Sequence, residues 1–131
     1  MIVLDTHALL WWVKGTGLSK QAHAAIEREL ENDGEIAIST MTAWEVMLLV
    51  KKGRLGLTMD VGGWLDKVNR INCVRFVSMD RNIAIAAADL RGDFHKDPAD
   101  RIIVATARSL SAPLLTKDEQ IRSYDHVKTI W

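Results

Sequence analysis

The segment Ile2-Val3-Leu4-Asp5 decides how the rest of the chain reads: three apolar residues in a row, then a carboxylate. A short, wholly apolar run fits a strand buried on both faces. The same shape returns downstream. Ile36-Ala37-Ile38 is followed by Ser39 and Thr40, Cys73 to Val77 reads as a third strand, Pro113 to Thr116 as a fourth and Val127 to Ile130 as the last. Helical spacing fills the intervals. Ala22, Ala25, Ile26 and Leu30 repeat behind a Ser19 cap until Asn32-Asp33-Gly34 stops them. Thr42 is placed to cap a helix carrying Trp44, Val46, Met47 and Val50, which Gly53 ends. Further helices are read over Val61 to Asn69, from an Asp80 cap through Leu90, from Pro98 through Ala107, and from Asp118 to Tyr124. Pro98 suits a first helical turn, where its missing N–H costs nothing. Short apolar strands separated by helices predict a parallel α/β sandwich.

Composition narrows the class. A chain of 131 residues is one domain, residues 1–131, and 48% hydrophobic content argues for a packed core rather than disorder. Seventeen basic residues balance seventeen acidic ones, which excludes a uniformly basic nucleic-acid coat or a highly charged tail protein. The single cysteine, Cys73, excludes an internal disulfide and a multi-cysteine zinc site, and reads as a small buried hydrophobe. Met1 to Val13 is apolar but carries Asp5 and His7 and no basic leader, so no export segment or membrane span is expected. A cytoplasmic protein is the expectation.

In parallel α/β folds, chemistry gathers at the carboxyl ends of the strands. Asp5 follows the first strand, Glu45 sits in the first turn of the helix after the second, Asp97 and Asp100 flank Pro98, and Asp118 follows the fourth strand. Each has a plain structural reading: an Asx-turn or cap residue for Asp5, a helix N-terminal acid for Asp97 or Asp100, an N-cap for Asp118, and a favourable interaction with the helix dipole for Glu45. Together they occupy one kind of topological position. Two carboxylates about 6 Å apart repel by roughly 3 kcal/mol at an effective dielectric near 20, so a cluster needs compensation. An oxygen-only ligand set suits Mg²⁺ or Mn²⁺, and such an ion with open positions suits phosphoryl chemistry.

With these residues in view the chain resembles a PIN-domain ribonuclease of the VapC type, the toxin half of a type II toxin–antitoxin pair. The resemblance runs from Leu4-Asp5-Thr6-His7-Ala8-Leu9-Leu10-Trp11-Trp12 through Ile38-Ser39, Trp44-Glu45-Val46 and Lys52-Gly53-Arg54-Leu55. It continues through His95-Lys96-Asp97-Pro98-Ala99-Asp100-Arg101-Ile102-Ile103-Val104-Ala105-Thr106-Ala107 to Leu115-Thr116-Lys117-Asp118-Glu119. It implies a three-layer sandwich with a central parallel sheet flanked by helices. It implies a Mg²⁺ or Mn²⁺ pocket hydrolysing RNA phosphodiesters, with Asp5, Glu45, Asp100 and Asp118 as catalytic and metal-binding acids and Asp97 as an extra acid behind them. It also implies a homodimer and a cognate antitoxin as partners. Asp5 and Asp100 would hold the principal ion, with Glu45 and Asp118 completing the set.

The other polar residues are secondary. No two of His7, His23, His95 and His126 have zinc-motif spacing. His7 reads as an oriented polar residue near the pocket and His95 as loop structure. Ser39 or Thr40 is placed to bond Asp5 or a phosphate, or to cap a helix, and Thr116 to support Asp118. Arg101 is expected on the surface, pairing with Asp97 or Asp118, or on an RNA phosphate. Trp11 and Trp12, being adjacent, cannot share a helix face, so one should be buried and the other more exposed; Trp44 and Trp64 read as core or interface. A phosphatase with an aspartate nucleophile would need a second Asp where His7 stands, and a receiver domain would need an acceptor Asp where Ser78-Met79 follows the third strand. The alternative from another class is a catalytically silent PIN fold that binds RNA or a partner without turnover.

Overall fold

The computed structural model describes all residues, Met1–Trp131. The elements in chain order are β1 (Ile2–Leu4), α1 (Thr6–Lys14), α2 (Lys20–Glu31), β2 (Ile36–Ser39), α3 (Thr40–Lys51), α4 (Val61–Asn69), β3 (Val74–Val77), α5 (Arg81–Ala88), α6 (Pro98–Ser109), β4 (Leu114–Leu115), α7 (Glu119–Arg122) and β5 (Thr129–Ile130). One five-stranded sheet runs β3-β2-β1-β4-β5, and every pairing is parallel. The chain builds outward from β1 to β2 and β3, then returns to lay β4 on the other side of β1. The strand order therefore reverses between β1 and β4, and a crevice opens there beyond their carboxyl ends. The register sets Leu4 beside both Ile38 and Leu115, which brings the residues after β1 and β4 side by side.

The apolar strands feed two layers by alternation. Ile2, Leu4, Ile36 and Ile38 pack with Ala8 and Leu9 of α1, Ala22, Ala25 and Ile26 of α2, and Val68 of α4. Val3, Ala37 and Leu114 point the other way, onto Ile103, Val104 and Ala107 of α6 and onto Ile121 and Tyr124. Ile83 and Ala87 of α5 lock against Ile102 and Ala105 on the far side of α6. No helix is long and apolar enough to cross a membrane.

Several boundaries differ from the sequence reading for local reasons. Cys73 has φ 71, outside the extended region, so β3 begins at Val74. Cys73 is half-buried, with its thiol directed at the Glu29 carbonyl. The strands β4 and β5 are two residues each. The cap of α3 is Ser39, whose Oγ accepts the Met41 N–H at 3.1 Å, and not Thr42, which lies buried inside the helix. This earlier start moves Glu45 from the first turn to the second. Helix α1 has no periodicity to announce it, because Ala8 to Val13 is apolar throughout; Asp5 starts it, and Gly15 at φ 87 ends it. Trp11 and Trp12 are both half-buried. Trp64 packs against the larger core cluster, whereas Trp44 is 57% exposed and belongs to no core.

Ile26 is fully buried where α2 meets the sheet. Ile26→Ala should destabilise the fold by about 2–5 kcal/mol through lost transfer energy and a residual cavity. Denaturant unfolding measures this, and a loss well under 1 kcal/mol would contradict the packing described.

Candidate active site

The crevice past β1 and β4 is an open cleft of about 530 Å³, and Asp5, Glu45, Asp97, Asp100 and Asp118 all line it. Every acid singled out from the sequence is therefore in one place. For three of them the capping role and the cleft position hold together. Oδ1 of Asp5 accepts the Ala8 N–H at 2.8 Å and starts α1. Oδ1 of Asp97 accepts the Ala99 N–H at 3.3 Å and starts α6. Oδ1 of Asp118 accepts the Ile121 N–H at 3.1 Å and starts α7. Each cap fixes its side chain with one oxygen. The N-terminal ends of α1 and α6 bring partial positive charge to the same place.

Glu45 and Asp100 are held otherwise. Glu45 reaches in from α3 and accepts the Thr6 hydroxyl at 2.6 Å. The oxygen of Thr6 lies 3.1 Å from the Thr42 hydroxyl, so two buried threonines steer one glutamate. The sequence reading passed over this pair, because these bonds join residues 39 and 36 apart and no local spacing spans them. Asp100, the third residue of α6, meets Nε2 of His95 at 3.1 Å. His95 lies in the loop before α6, as expected, and from there meets Asp100 without itself lining the cleft. Thr116 supports Asp118 as expected, its hydroxyl oxygen accepting the Asp118 N–H at 3.1 Å. Ser39 and Thr40 do not reach Asp5: Ser39 caps its own helix, and Thr40 accepts the Met79 N–H. Arg101 pairs with no carboxylate. Its guanidinium donates to the carbonyls of Ala87, Ala88, Phe94 and His95. His7 is exposed, 5.7 Å from the Trp11 ring, and Lys117 contributes a positive charge to the wall, 5.8 Å from the same ring.

Uncompensated, Asp5, Glu45 and Asp100 hold their protons unusually well. Burial raises the pKa of Asp5, against hydrogen bonds from Thr116 and the Ala8 amide that lower it. Burial likewise raises Glu45, opposed by its bond from Thr6. Asp100 is pushed up to about 7, first by burial and then by the charges of Asp97, Asp118, Glu45 and Asp5. The donor set is hard oxygen, which fits Mg²⁺ or Mn²⁺ and not zinc or copper. No three of the side chains already form a closed ligand cluster, so the cleft presents its oxygens without drawing them round one point.

An acid-walled crevice at the reversal point of this sheet is the arrangement of a PIN domain. The sequence matches the PIN domain family over residues 2–127, and the chain belongs to that family. Within it, the chain is 31% identical to Ribonuclease VapC22 of Mycobacterium tuberculosis, across 99% of this chain and 98% of that protein. Among solved structures, the fold is similar to VapBC2 of Rickettsia felis bound to a promoter DNA fragment, with a TM-score of 0.72 at 18% identity, covering 98% of this chain and 97% of that one. It is also similar to FitAcB of Neisseria gonorrhoeae, with a TM-score of 0.68 at 21% identity over 98% of this chain and 96% of that one.

A carboxyl whose pKa is higher folded than unfolded binds more protons in the native state between the two values, so stability falls as pH rises through that window. For Asp100 the window runs from 3.8 to about 7. Without divalent cation the protein should be more stable at pH 5 than at pH 8. Asp100→Asn should recover about 1–3 kcal/mol at pH 8, equivalent to part of the shift, and change little at pH 4. Thermal unfolding in EDTA checks this; an Asn variant no more stable than wild type at pH 8 would contradict the charge crowding.

Proposed function

We propose that this protein is a Mg²⁺- or Mn²⁺-dependent endoribonuclease, the toxin of a type II toxin–antitoxin pair. The observation that carries the reading is the convergence of Asp5, Glu45, Asp100 and Asp118 on one cleft from four separate segments, in a chain whose full-length relative is named a ribonuclease. Asp5 and Asp100 are the residues that would hold the principal ion, and Glu45 and Asp118 would complete the set. When bound, the ion supplies Lewis acidity toward the phosphate and lowers the pKa of water. The chain's own work is positional. Caps fix Asp5 and Asp118, and Thr6 fixes Glu45. The open cleft admits an extended RNA strand, and Lys117 on its wall suits a phosphate. No side chain is required as nucleophile.

Positive charge placed among these carboxylates would offset the repulsion that, after burial, raises Asp100. A protein that cuts RNA must be restrained by its host, and the structural neighbours include a toxin–antitoxin complex from Klebsiella pneumoniae, with a TM-score of 0.66 at 21% identity. The partners proposed here are a cognate antitoxin and a second copy of the chain, with the cytoplasm as the compartment where RNA is met.

Purified protein should cleave RNA in Mg²⁺ or Mn²⁺ and stop in EDTA. Asp5→Asn and Asp100→Asn should each lower cleavage by at least about 100-fold, the scale of losing one charge-stabilising group in an active site. Both should stay folded, since Asn still caps α1 and is close in shape to Asp at residue 100. Metal-independent binding of RNA without cleavage would instead mark a silent RNA-binding PIN fold, and full activity in both variants would remove the acids from the mechanism.

A further inference from the structure

Three of the four proposed ion-binding acids have a fixed donor of their own: the Ala8 amide for Asp5, the Thr6 hydroxyl for Glu45 and the Ile121 amide for Asp118. Asp100 has none of this kind. Its close polar neighbour is the imidazole of His95, with Nε2 3.1 Å from Oδ2. The Asp97 amide donates to Nδ1 of His95 at 3.3 Å, which leaves the ring hydrogen on Nε2, the nitrogen facing Asp100. This Nε2 is buried, and its N–H is aligned on no acceptor. The carboxylate of Asp100, 3.1 Å away, is the acceptor it faces.

The loop carrying the ring is fixed from several directions. Nε of Arg101 donates to the Ala87 carbonyl at 2.9 Å, Nη1 to the Phe94 and His95 carbonyls at 3.1 and 3.2 Å, and Nη2 to the Ala88 carbonyl at 3.2 Å. The His95 ring stacks on Phe94 at 4.4 Å, and Phe94 packs on Tyr124 at 4.9 Å. The Tyr124 hydroxyl donates to the Arg91 carbonyl at 2.5 Å. So the residue next to Asp100 clamps the backbone of the residue that faces Asp100. The pattern His95-x-Asp97-Pro98-x-Asp100-Arg101 closes on itself.

We propose that His95, held by the Arg101 clamp, is a positioning residue for Asp100: its Nε2–H orients the one proposed ion-binding carboxylate that has no other donor. The proposal rests on the metal-nuclease reading for its effect on cleavage. Groups that orient a ligand in this way govern metal affinity and activity by about 10–100-fold. His95 is not among the residues that line the cleft, so it acts through Asp100.

His95→Phe keeps the ring and its stacking on Phe94 but removes the donor, and His95→Gln keeps a side-chain N–H. His95→Phe should weaken Mn²⁺ binding, followed by electron paramagnetic resonance, by about 10-fold. It should lower kcat for RNA cleavage by a similar factor with KM for RNA unchanged, and His95→Gln should restore most of both. In metal-free protein, ¹⁵N shifts should show the ring hydrogen on Nε2, with a signal that moves in Asp100→Asn. A hydrogen on Nδ1, or Mn²⁺ affinity within twofold of wild type in His95→Phe, overturns the proposal. If His95→Phe fails to fold, the tautomer and His95→Gln decide: Mn²⁺ binding as weak as in His95→Ala shows that the donor is not what matters. If wild type neither binds Mn²⁺ nor cuts RNA, the nuclease reading fails, and the metal-free ¹⁵N signal still reports whether His95 and Asp100 interact.

Discussion

The structure turns on the parallel pairing of β1 with β4. Leu4 lies opposite Leu115, and the Asp5 amide donates to the Leu115 carbonyl at 3.1 Å. That ladder places the exits of two strands 111 residues apart in sequence beside each other, at the point where the strand order reverses. The crevice, the meeting of Asp5 with Asp118, and part of the burial and charge crowding that raise Asp100 follow from it. Buried apolar strands make the ladder strong. They also exclude water from the carboxylates at its end, so the forces that secure the fold put the site under electrostatic tension.

Much of this was legible in the sequence because it rests on local rules. Apolar triplets, cap residues and Pro98 at a first helical turn mark the elements, and Asp5, Asp97 and Asp118 announce themselves as caps. What escaped depends on distance or on a missing pattern. Helix α1 is apolar on all sides and shows no period. The Thr6–Glu45 bond joins residues 39 apart, and nothing local in either residue points to the other. Arg101 misled for a physical reason: an arginine beside acids suggests an ion pair, but its N–H groups are used instead on two carbonyls at the end of α5 and two of the loop before α6.

The capping reading and the catalytic reading of the acids, which compete when each residue is weighed singly, are compatible in space. A carboxylate has two oxygens. One can stop a helix from fraying while the other faces the cleft, and the cap then prevents the side chain from turning away. The even count of 17 acids and 17 bases hides this, because a sum over the chain cannot see that six acids, Glu119 among them, line one cleft. A neutral protein can work on a polyanion when its local charge is reversed by what it binds.

The cleft is assembled from residues at the two extremes of the chain and from two places between, at 5, 45, 100 and 118. During synthesis β1, β2 and their helices can pack long before β4 exists, but they would hold only Asp5 and Glu45. Asp118 and α7 follow β4, so the last part of the wall comes from residues made just before β5. The full set of acids exists only once the chain has grown past residue 118, and a chain cut short before that point has a sheet but lacks one side of its cleft.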